Sequence, residues 1–224
     1  MNFNLNAAKA LLGAAVVAGA VTAIALPASA ISVNTGGTPS AGNGQVSSKS
    51  GVTTLDFNSD ALGTRTGGGT VVIGSTGVNA SPPGDTSQYL TIGSFSQPDF
   101  ATFDLGGDKG YFGLFVGSLD PFNSIEFFRN GVSKLLLNGT QIAGITGTPS
   151  SGDQNVGVYY NFFGENNSDV FDKVVLGSTG IAFEVDNIAT RTAIPTPALL
   201  PGLIGMGVAA WRKRRGESVE QSEA

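Results

Sequence analysis

Residues 111–139 read YFGLFVGSLDPFNSIEFFRNGVSKLLLNG, and their pattern decides the fold class. Runs of aromatic, β-branched and aliphatic residues, typical of β-strands, are separated by short segments of Gly, Asn, Asp, Ser and Pro, which are typical of turns. Asn130-Gly131 and Asn138-Gly139 can supply the positive φ angles of a two-residue hairpin turn. Their spacing predicts a three-stranded meander from Ser124 to Ile145.

The same pattern continues toward both ends of the chain. Residues 180–191 read GIAFEVDNIATR, and their alternation directs Phe183 and Val185 to one face of a strand and Glu184 and Asp186 to the other. No segment of this body has a helical period of useful length. About ten short strands at close spacing predict an all-β fold, an antiparallel β-sandwich of jelly-roll type.

Composition restricts the chemistry open to this 224-residue chain. The absence of Cys and His excludes disulfides, cysteine nucleophiles, Ser-His triads and zinc or haem sites that use these ligands. A net charge of −5 argues against nucleic acid as a partner. Thirteen of the 14 Phe lie between positions 57 and 183 and can build one hydrophobic core. Burial of that core, at about 25 cal/mol per Å², is the main stabilising contribution.

The first 30 residues have the anatomy of a secretory signal peptide. A cation at Lys9 precedes an apolar stretch from Ala10 to Leu26 and a small-x-small cleavage site formed by Ala28 and Ala30. Cleavage there would make Ile31 the first residue of an exported chain; the alternative is an uncleaved anchor helix. Residues 31–51 lack aromatic side chains and periodicity, which predicts a flexible leader before a β-sandwich ectodomain at 52–192.

The C-terminal segment, 193–224, contains IPTPALLPGLIGMGVAAWRKRR from Ile194 to Arg215. As a helix, the stretch from Ile194 to Trp211 would reach roughly 27 Å, close to the ~30 Å hydrocarbon core of a bilayer. A basic cluster follows and would act as a stop signal that stays cytoplasmic. Its residues are Arg212, Lys213, Arg214 and Arg215. The pattern predicts a C-terminal membrane helix, with a plain anchor as the simpler alternative.

This segment resembles the PTPA-CTERM sorting signal, a variant of the bacterial PEP-CTERM signal. The resemblance covers a proline motif, a short apolar helix over 199–211 and the basic cluster at 212–215. The motif is Pro195, Thr196, Pro197 and Ala198, with Thr196 where the parent signal usually has Glu. The resemblance implies recognition by an exosortase-like membrane protease, transient anchoring in the inner membrane, and release or attachment at the cell surface.

The body of the chain resembles the ectodomain of exosortase-dependent surface proteins. The resemblance rests on YFGLFVGSLDPFNSIEFFRNG at 111–131 and on FEVDNIA at 183–189. It implies a location and a β-sandwich but no defined reaction. We therefore expect an exported, non-enzymatic cell-surface or extracellular-matrix protein associated with exopolysaccharide.

A carbohydrate-binding module, with or without calcium, is the alternative function. Sugar-binding sandwiches use exposed aromatic rings as platforms, and Tyr89, Tyr159 and Tyr160 are the candidate glycan contacts; core packing is the alternative for each. No cofactor is required, but calcium prefers oxygen donors. Asp56 and Asp186, on the first and last strands, are candidate calcium ligands. A second acidic stretch, FGENNSDVFD at 163–172, reads either as calcium ligands or as a solvated turn.

A divergent glycosidase is the third possibility. Glu184 and Asp186 resemble two positions of the Glu-x-Asp-x-x-Glu strand of laminarinase-type jelly-roll glycosidases, but the second glutamate is missing. Catalysis would need another carboxylate within about 5–9.5 Å of Glu184, with Glu126 as the first candidate. The sole Trp is Trp211, so the ectodomain also lacks the Trp-lined cleft of those enzymes. We therefore expect no enzymatic activity.

Overall fold

A computed structural model describes residues 31–59, 65–95, 97–164 and 168–193. These residues form a predominantly antiparallel β fold, as the sequence predicts. The strands are β1 (Ile31–Thr35), β2 (Gly37–Pro39), β3 (Gln45–Ser47), β4 (Thr53–Leu55), β5 (Arg65–Gly67), β6 (Thr70–Ile73), β7 (Gln88–Ile92), β8 (Phe100–Val116), β9 (Asn123–Arg129), β10 (Val132–Asn138), β11 (Val158–Gly164), β12 (Phe171–Ser178) and β13 (Phe183–Thr192). A short helix, α1 (Gly139–Thr146), follows β10.

The 17-residue strand β8 organises the sheet. Its first half pairs with β5 and β12, and its second half pairs with β11 and β13. Gly106 and Gly107, with φ of 66° and 124°, lie between the halves and adopt backbone conformations that favour glycine. The hydrogen-bonded path runs β10-β9-β12-β8-β13-β7-β6, with β1 joined through β11 and β4 through β13. One strand therefore belongs to both parts of the sheet.

The core lies between the part of the sheet that pairs with the first half of β8 and the part that pairs with its second half. Phe127 on β9 lies 5.8 Å, centroid to centroid, from Phe112 on β8 and 5.0 Å from Phe162 on β11. Phe171 on β12 lies 4.8 Å from Phe127, and all four rings are completely buried. Because β9 and β11 are not paired in the described sheet, these contacts join its two parts face to face. The arrangement has the layered form of a β-sandwich, and each buried ring contributes about 1.5–3 kcal/mol.

The predicted meander is half correct. Asn130 and Gly131 have positive φ and join β9 to β10 as an antiparallel hairpin. Asn138 instead begins α1, and the prediction of a second turn and third strand is wrong. The Asn138 side chain accepts a hydrogen bond from the Gln141 N–H, and the Gln141 side chain accepts one from the Asn138 N–H, each at 2.9 Å. This capping box gives hydrogen-bond partners to two backbone N–H groups at the start of the helix, which in a hairpin would pair across the strands.

The prediction of a flexible leader over 31–51 is also wrong. β1 pairs with β11 along its whole length, and β2 and β3 form a hairpin that packs against β8, β11 and β13. A Cβ on Gly37 would lie 2.6 Å from Tyr159 Cβ, and one on Gly44 would lie 2.1 Å from Phe115 Cε1. The glycines that suggested flexibility therefore allow the backbone of this segment to approach aromatic side chains closely.

No helix among the described residues is long and apolar enough to cross a membrane. The predicted signal helix and C-terminal membrane helix fall outside the described ranges.

Candidate functional site

Strand β13 brings two carboxylates to the face that points away from the core. Phe183 and Val185 are fully buried in the core, as predicted, while Glu184 and Asp186 point to the outer face. That face is covered by the β2–β3 hairpin and by residues 75–87, so Glu184 is only 3% exposed and Asp186 is completely buried. Burial of ionised carboxylates is costly unless hydrogen bonds or cations compensate it.

Glu184 is held by hydrogen bonds from the covering segments. Its Oε1 accepts from the Ala80 N–H at 3.1 Å, and its Oε2 accepts from the Ser118 hydroxyl at 3.3 Å. Burial raises the pKa of Glu184, these hydrogen bonds oppose the rise, and the negative charge of Asp120 adds to it. Glu184 also lines a cavity of about 260 Å³ under residues 75–80. The cavity suits a small polar group.

Asp186 lacks such compensation. Neither of its carboxylate oxygens has a hydrogen-bond partner of good geometry. The carboxylate of Asp85 lies beside it: Asp85 Oδ1 accepts from the Ser87 N–H and hydroxyl at 2.8 and 2.6 Å, while Asp85 Oδ2 is buried and unpartnered. Burial raises the pKa of Asp186 to about 9; the nearby Asn187 N–H opposes the rise, and the neighbouring Asp85 and Asp56 carboxylates add to it.

The fold places Asp186 where two strands meet along one edge of β13. β7 pairs with β13 as far as Val185, and β4 pairs with it again from Ile188. Asn187, between them, has a φ of 49°, and the β13–β8 register shifts at this point. Its side-chain amide donates to the Asn43 carbonyl at 2.6 Å, and its own carbonyl accepts from the Tyr159 hydroxyl at 2.9 Å. The irregular backbone thus ties β13 to the N-terminal hairpin beside Asp186.

The predicted calcium pair is only partly brought together. Asp56 follows β4, accepts from the Asn58 N–H at 3.1 Å and acts on Asp186 through its charge. The immediate neighbour of Asp186 is instead Asp85, which sequence reasoning missed because SPPGDTS reads as a turn. Among the described residues, no three His, Cys, Asp or Glu side chains are grouped closely enough to hold a metal ion by themselves.

The described acids of the second acidic stretch are used in contacts within the fold. Asp172 Oδ2 accepts from the Asn130 N–H at 2.7 Å, across the β9–β10 turn, and Asp169 is buried beside Ser168. Residues 165–167 lie outside the described ranges.

The predicted glycan contacts are wrong as stacking platforms. Tyr89, Tyr159 and Tyr160 are at most 1% exposed, and burial raises the pKa of each. Tyr160 points into the core, where its hydroxyl pairs with Thr148 at 2.8 Å, while Tyr159 lies under the β2–β3 hairpin. Both faces of β11 are covered, so alternation along this strand exposes neither ring.

A partly exposed aromatic ring, Phe163, lies elsewhere, where β1, β11, β8 and β13 run side by side. Phe163 lines a groove of about 410 Å³ together with Arg191, Ser32 and Asn34. Lys49 Nζ lies 5.5 Å from the Phe163 ring centroid, and the Arg191 guanidinium lies 5.8 Å from that of Tyr111. This groove combines an aromatic surface, two cations and polar side chains, which together can bind a sugar that carries negative charge.

The carboxylate proposed as a glycosidase partner is not beside Glu184. Glu126 lies on β9, which pairs with β10 and β12. The carboxylate whose charge acts on Glu184 is Asp120, whose own pKa is raised by burial. The signal-cleavage residues, the proline motif and the basic cluster lie outside the described residues.

Comparisons with known proteins leave the family open. No protein-family model and no curated protein matches the chain. Among solved structures, the chain is similar to the catalytic domain of a GH87 alpha-1,3-glucanase variant in complex with tetrasaccharides, at 14% identity and a TM-score of 0.39. The match covers 66% of this chain and 30% of that chain. A likeness of this size does not decide the fold or the activity.

Proposed function

We propose that this protein is an exported, non-enzymatic cell-surface or extracellular-matrix protein that an exosortase-like membrane protease sorts and processes. The observation that carries the proposal is the PTPA-type segment, whose proline motif begins at Pro195, directly after strand β13 ends at Thr192. A folded β domain followed at once by a proline motif, an apolar stretch and a basic cluster is what a membrane protease needs to separate domain from anchor. In this proposal the domain is a jelly-roll β-sandwich, held transiently at the inner membrane and then displayed or released.

Intact-mass measurement of the exported protein tests the sorting step. We expect a chain that begins at Ile31 and ends near the proline motif. Replacement of Pro195 and Pro197 by Ala should leave the protein membrane-bound and unprocessed. A variant that lacks residues 216–224 retains the motif, the apolar stretch and the basic cluster, so it should be processed normally. An exported form that retains residues 198–224 would show that sorting cleavage does not occur.

We also propose that association with exopolysaccharide uses the groove beside Phe163. The support is the partly exposed ring with Lys49 and Arg191 close by, which favours sugars that carry carboxylate or other anionic groups. Phe163→Ala should weaken binding to an anionic polysaccharide about 2- to 12-fold, since an aromatic contact contributes about 0.5–1.5 kcal/mol. Phe128→Ala is the matched control, because Phe128 is also half-buried with a lysine, Lys173, 4.4 Å from its ring centroid. Equal losses in both variants would rule out the groove.

The non-enzymatic part of the proposal has support in the state of Glu184. Both of its oxygens accept hydrogen bonds, and its side chain is 3% exposed, so it presents no free acid to a polymeric substrate. We expect no release of reducing sugar from α- or β-glucans. Hydrolysis that disappears in Glu184→Gln would contradict this and favour the glycosidase.

A further inference from the structure

The buried pair Asp85 and Asp186 leaves three carboxylate oxygens without a hydrogen bond of good geometry. They are Asp85 Oδ2 and both oxygens of Asp186. Asp85 is 4% exposed and Asp186 is completely buried, so water does not replace the missing partners at the surface. Within the described residues the salt bridge is formed by Arg129 and Asp108, so neither Asp85 nor Asp186 is paired with a cationic side chain. Two facing acids without a protein cation require another positive charge.

A shared proton would satisfy only part of this need. It joins one oxygen of Asp186 to one oxygen of Asp85, and the second Asp186 oxygen then has only the poorly aligned N–H of the adjacent Asn187 beside it. An unsatisfied buried acceptor costs about 1–3 kcal/mol, and more when it is charged. A divalent cation between the carboxylates can coordinate all three oxygens and neutralise both charges.

We propose that Asp85 and Asp186 form a calcium-binding site that joins β13 to the segments covering its outer face. Calcium takes six to eight oxygen ligands, including carboxylates, carbonyls and water, whereas magnesium demands near-ideal octahedral geometry and retains its waters. The two carboxylates supply three ligands, and backbone carbonyls and water complete the shell. Asp56, whose charge acts on Asp186, adds negative potential at the edge of the site.

The position of the site gives calcium a structural role. Residues Gly42 and Asn43 bridge to Asp85, the Gly44 N–H donates to the Gly84 carbonyl at 3.1 Å, and the Thr86 N–H donates to the Gly42 carbonyl at 2.8 Å. The N-terminal hairpin, the loop before β7 and strand β13 thus meet at the carboxylate pair. Calcium bound there would lock the cover onto the outer face. This inference does not rest on the sorting proposal or on sugar binding.

Thermal unfolding of the purified full-length chain, first stripped with EDTA and then titrated with calcium chloride, tests the site. Calcium at about 100 times its Kd should raise the Tm by about 5–10 °C. Asp186→Asn and Asp85→Asn should each abolish the rise; the amide introduced by Asp85→Asn keeps an oxygen that can accept from Ser87. Asp104→Asn is the control, because Asp104 is exposed and caps the Gly106 N–H with an oxygen that an amide side chain also has.

Equilibrium dialysis of the wild-type chain with radioactive calcium supplies a second measurement that does not depend on how the variants fold. We expect one tightly held ion per wild-type chain and none in the Asp85→Asn chain. Absence of both a Tm rise and stoichiometric binding in the wild type would overturn the proposal. Calcium binding that is unchanged in both Asp85→Asn and Asp186→Asn would also overturn it. A wild type that does not respond to calcium and is less stable than Asp186→Asn would overturn it as well, and would indicate a shared proton. An equal response to magnesium would overturn the assignment to calcium.

Discussion

Gly44→Ala tests whether the N-terminal hairpin is an integral part of the fold. Gly44 has a φ of +62°, and a Cβ at this position would lie 2.1 Å from Phe115 Cε1 and 2.8 Å from its Cδ1. Phe115 is completely buried on β8, so its ring has no solvent into which it can move. The substitution must therefore either displace the ring or lift the hairpin from the sheet.

Two contributions set the expected magnitude. The left-handed backbone costs an Ala about 1–2 kcal/mol relative to Gly. Overpacking of a filled site costs about 1–3 kcal/mol more. Together they predict a loss of about 2–5 kcal/mol, which corresponds to a fall in Tm of about 4–20 °C for a chain of this size.

Gly74→Ala separates the two contributions. Gly74 has a φ of +69°, but nothing lies within 4 Å of a Cβ placed there. It should therefore lose only the backbone contribution of about 1–2 kcal/mol. In a Phe115→Ala background, which removes the clashing ring, Gly44→Ala should cost no more than Gly74→Ala does in the wild type.

Thermal unfolding monitored by circular dichroism measures the stability of the wild type and the four variants, with hydrogen exchange over residues 36–47 as a local readout. If the hairpin were a flexible leader, Gly44→Ala would be neutral, because the substitution would restrict the folded and the unfolded chain equally. A Tm loss no larger than that of Gly74→Ala, with unchanged exchange protection, would refute the reasoning.

Three further predictions test other parts of the fold. Burial raises the pKa of Tyr160 above the 10.0 of an exposed tyrosine, so its contribution to stability is complete below pH 10 and is lost as the pH rises further. Phenolate absorbance should show ionisation coupled to unfolding, and the Tyr160→Phe chain should unfold at a higher pH than the wild type. Asn187→Ala removes the hydrogen bonds that the Asn187 side-chain amide donates to the Asn43 and Gln45 carbonyls, and it should lower the free energy of unfolding in denaturant by about 1–3 kcal/mol. Asn155→Ala, on an exposed loop, is the control and should stay within about 0.5 kcal/mol of wild type. Asn138→Ala removes the N-cap of α1 and should cost about 0.5–2 kcal/mol, with faster amide exchange in 139–146.

The strands were predictable because their signal is local. Alternation alone directs Phe183 and Val185 inward, and Asn130-Gly131 makes its turn with neighbours on either side. The same dipeptide at Asn138-Gly139 can also begin a helix, with Asn138 as the N-cap. A contact with a residue distant in sequence favours this helix over the turn. A Cβ on Gly139 would lie 1.9 Å from the Asp120 carbonyl oxygen, so only Gly permits this approach. Eight helical residues are also too few to display a period.

The site was less predictable because its partners are distant in sequence. Asp186 was found from strand alternation, but Asp85 lies in a turn-like segment that carries no periodic signal. The hydrogen bond between Asn187 and Asn43 joins residues 144 positions apart. Composition alone makes residues 31–51 look like a linker, and only the rings of Phe115 and Tyr159 explain why their glycines are needed.

The carboxylate pair and the hairpin belong to one equilibrium if calcium binds as proposed. The hairpin reaches the site through Gly42, Asn43 and Gly44, which contact the segment around Asp85 and the amide of Asn187. Calcium that binds the covered form better than the open form must stabilise the cover, and any change that opens the cover must weaken calcium binding by the same factor. Gly44→Ala, which touches no carboxylate, should therefore lower calcium affinity, whereas Gly74→Ala should not. Suppose that Gly44→Ala removes exchange protection over 36–47 but leaves the calcium affinity unchanged. Calcium binding would then not be coupled to the hairpin, and the ion would join only β13 and the 85–87 turn.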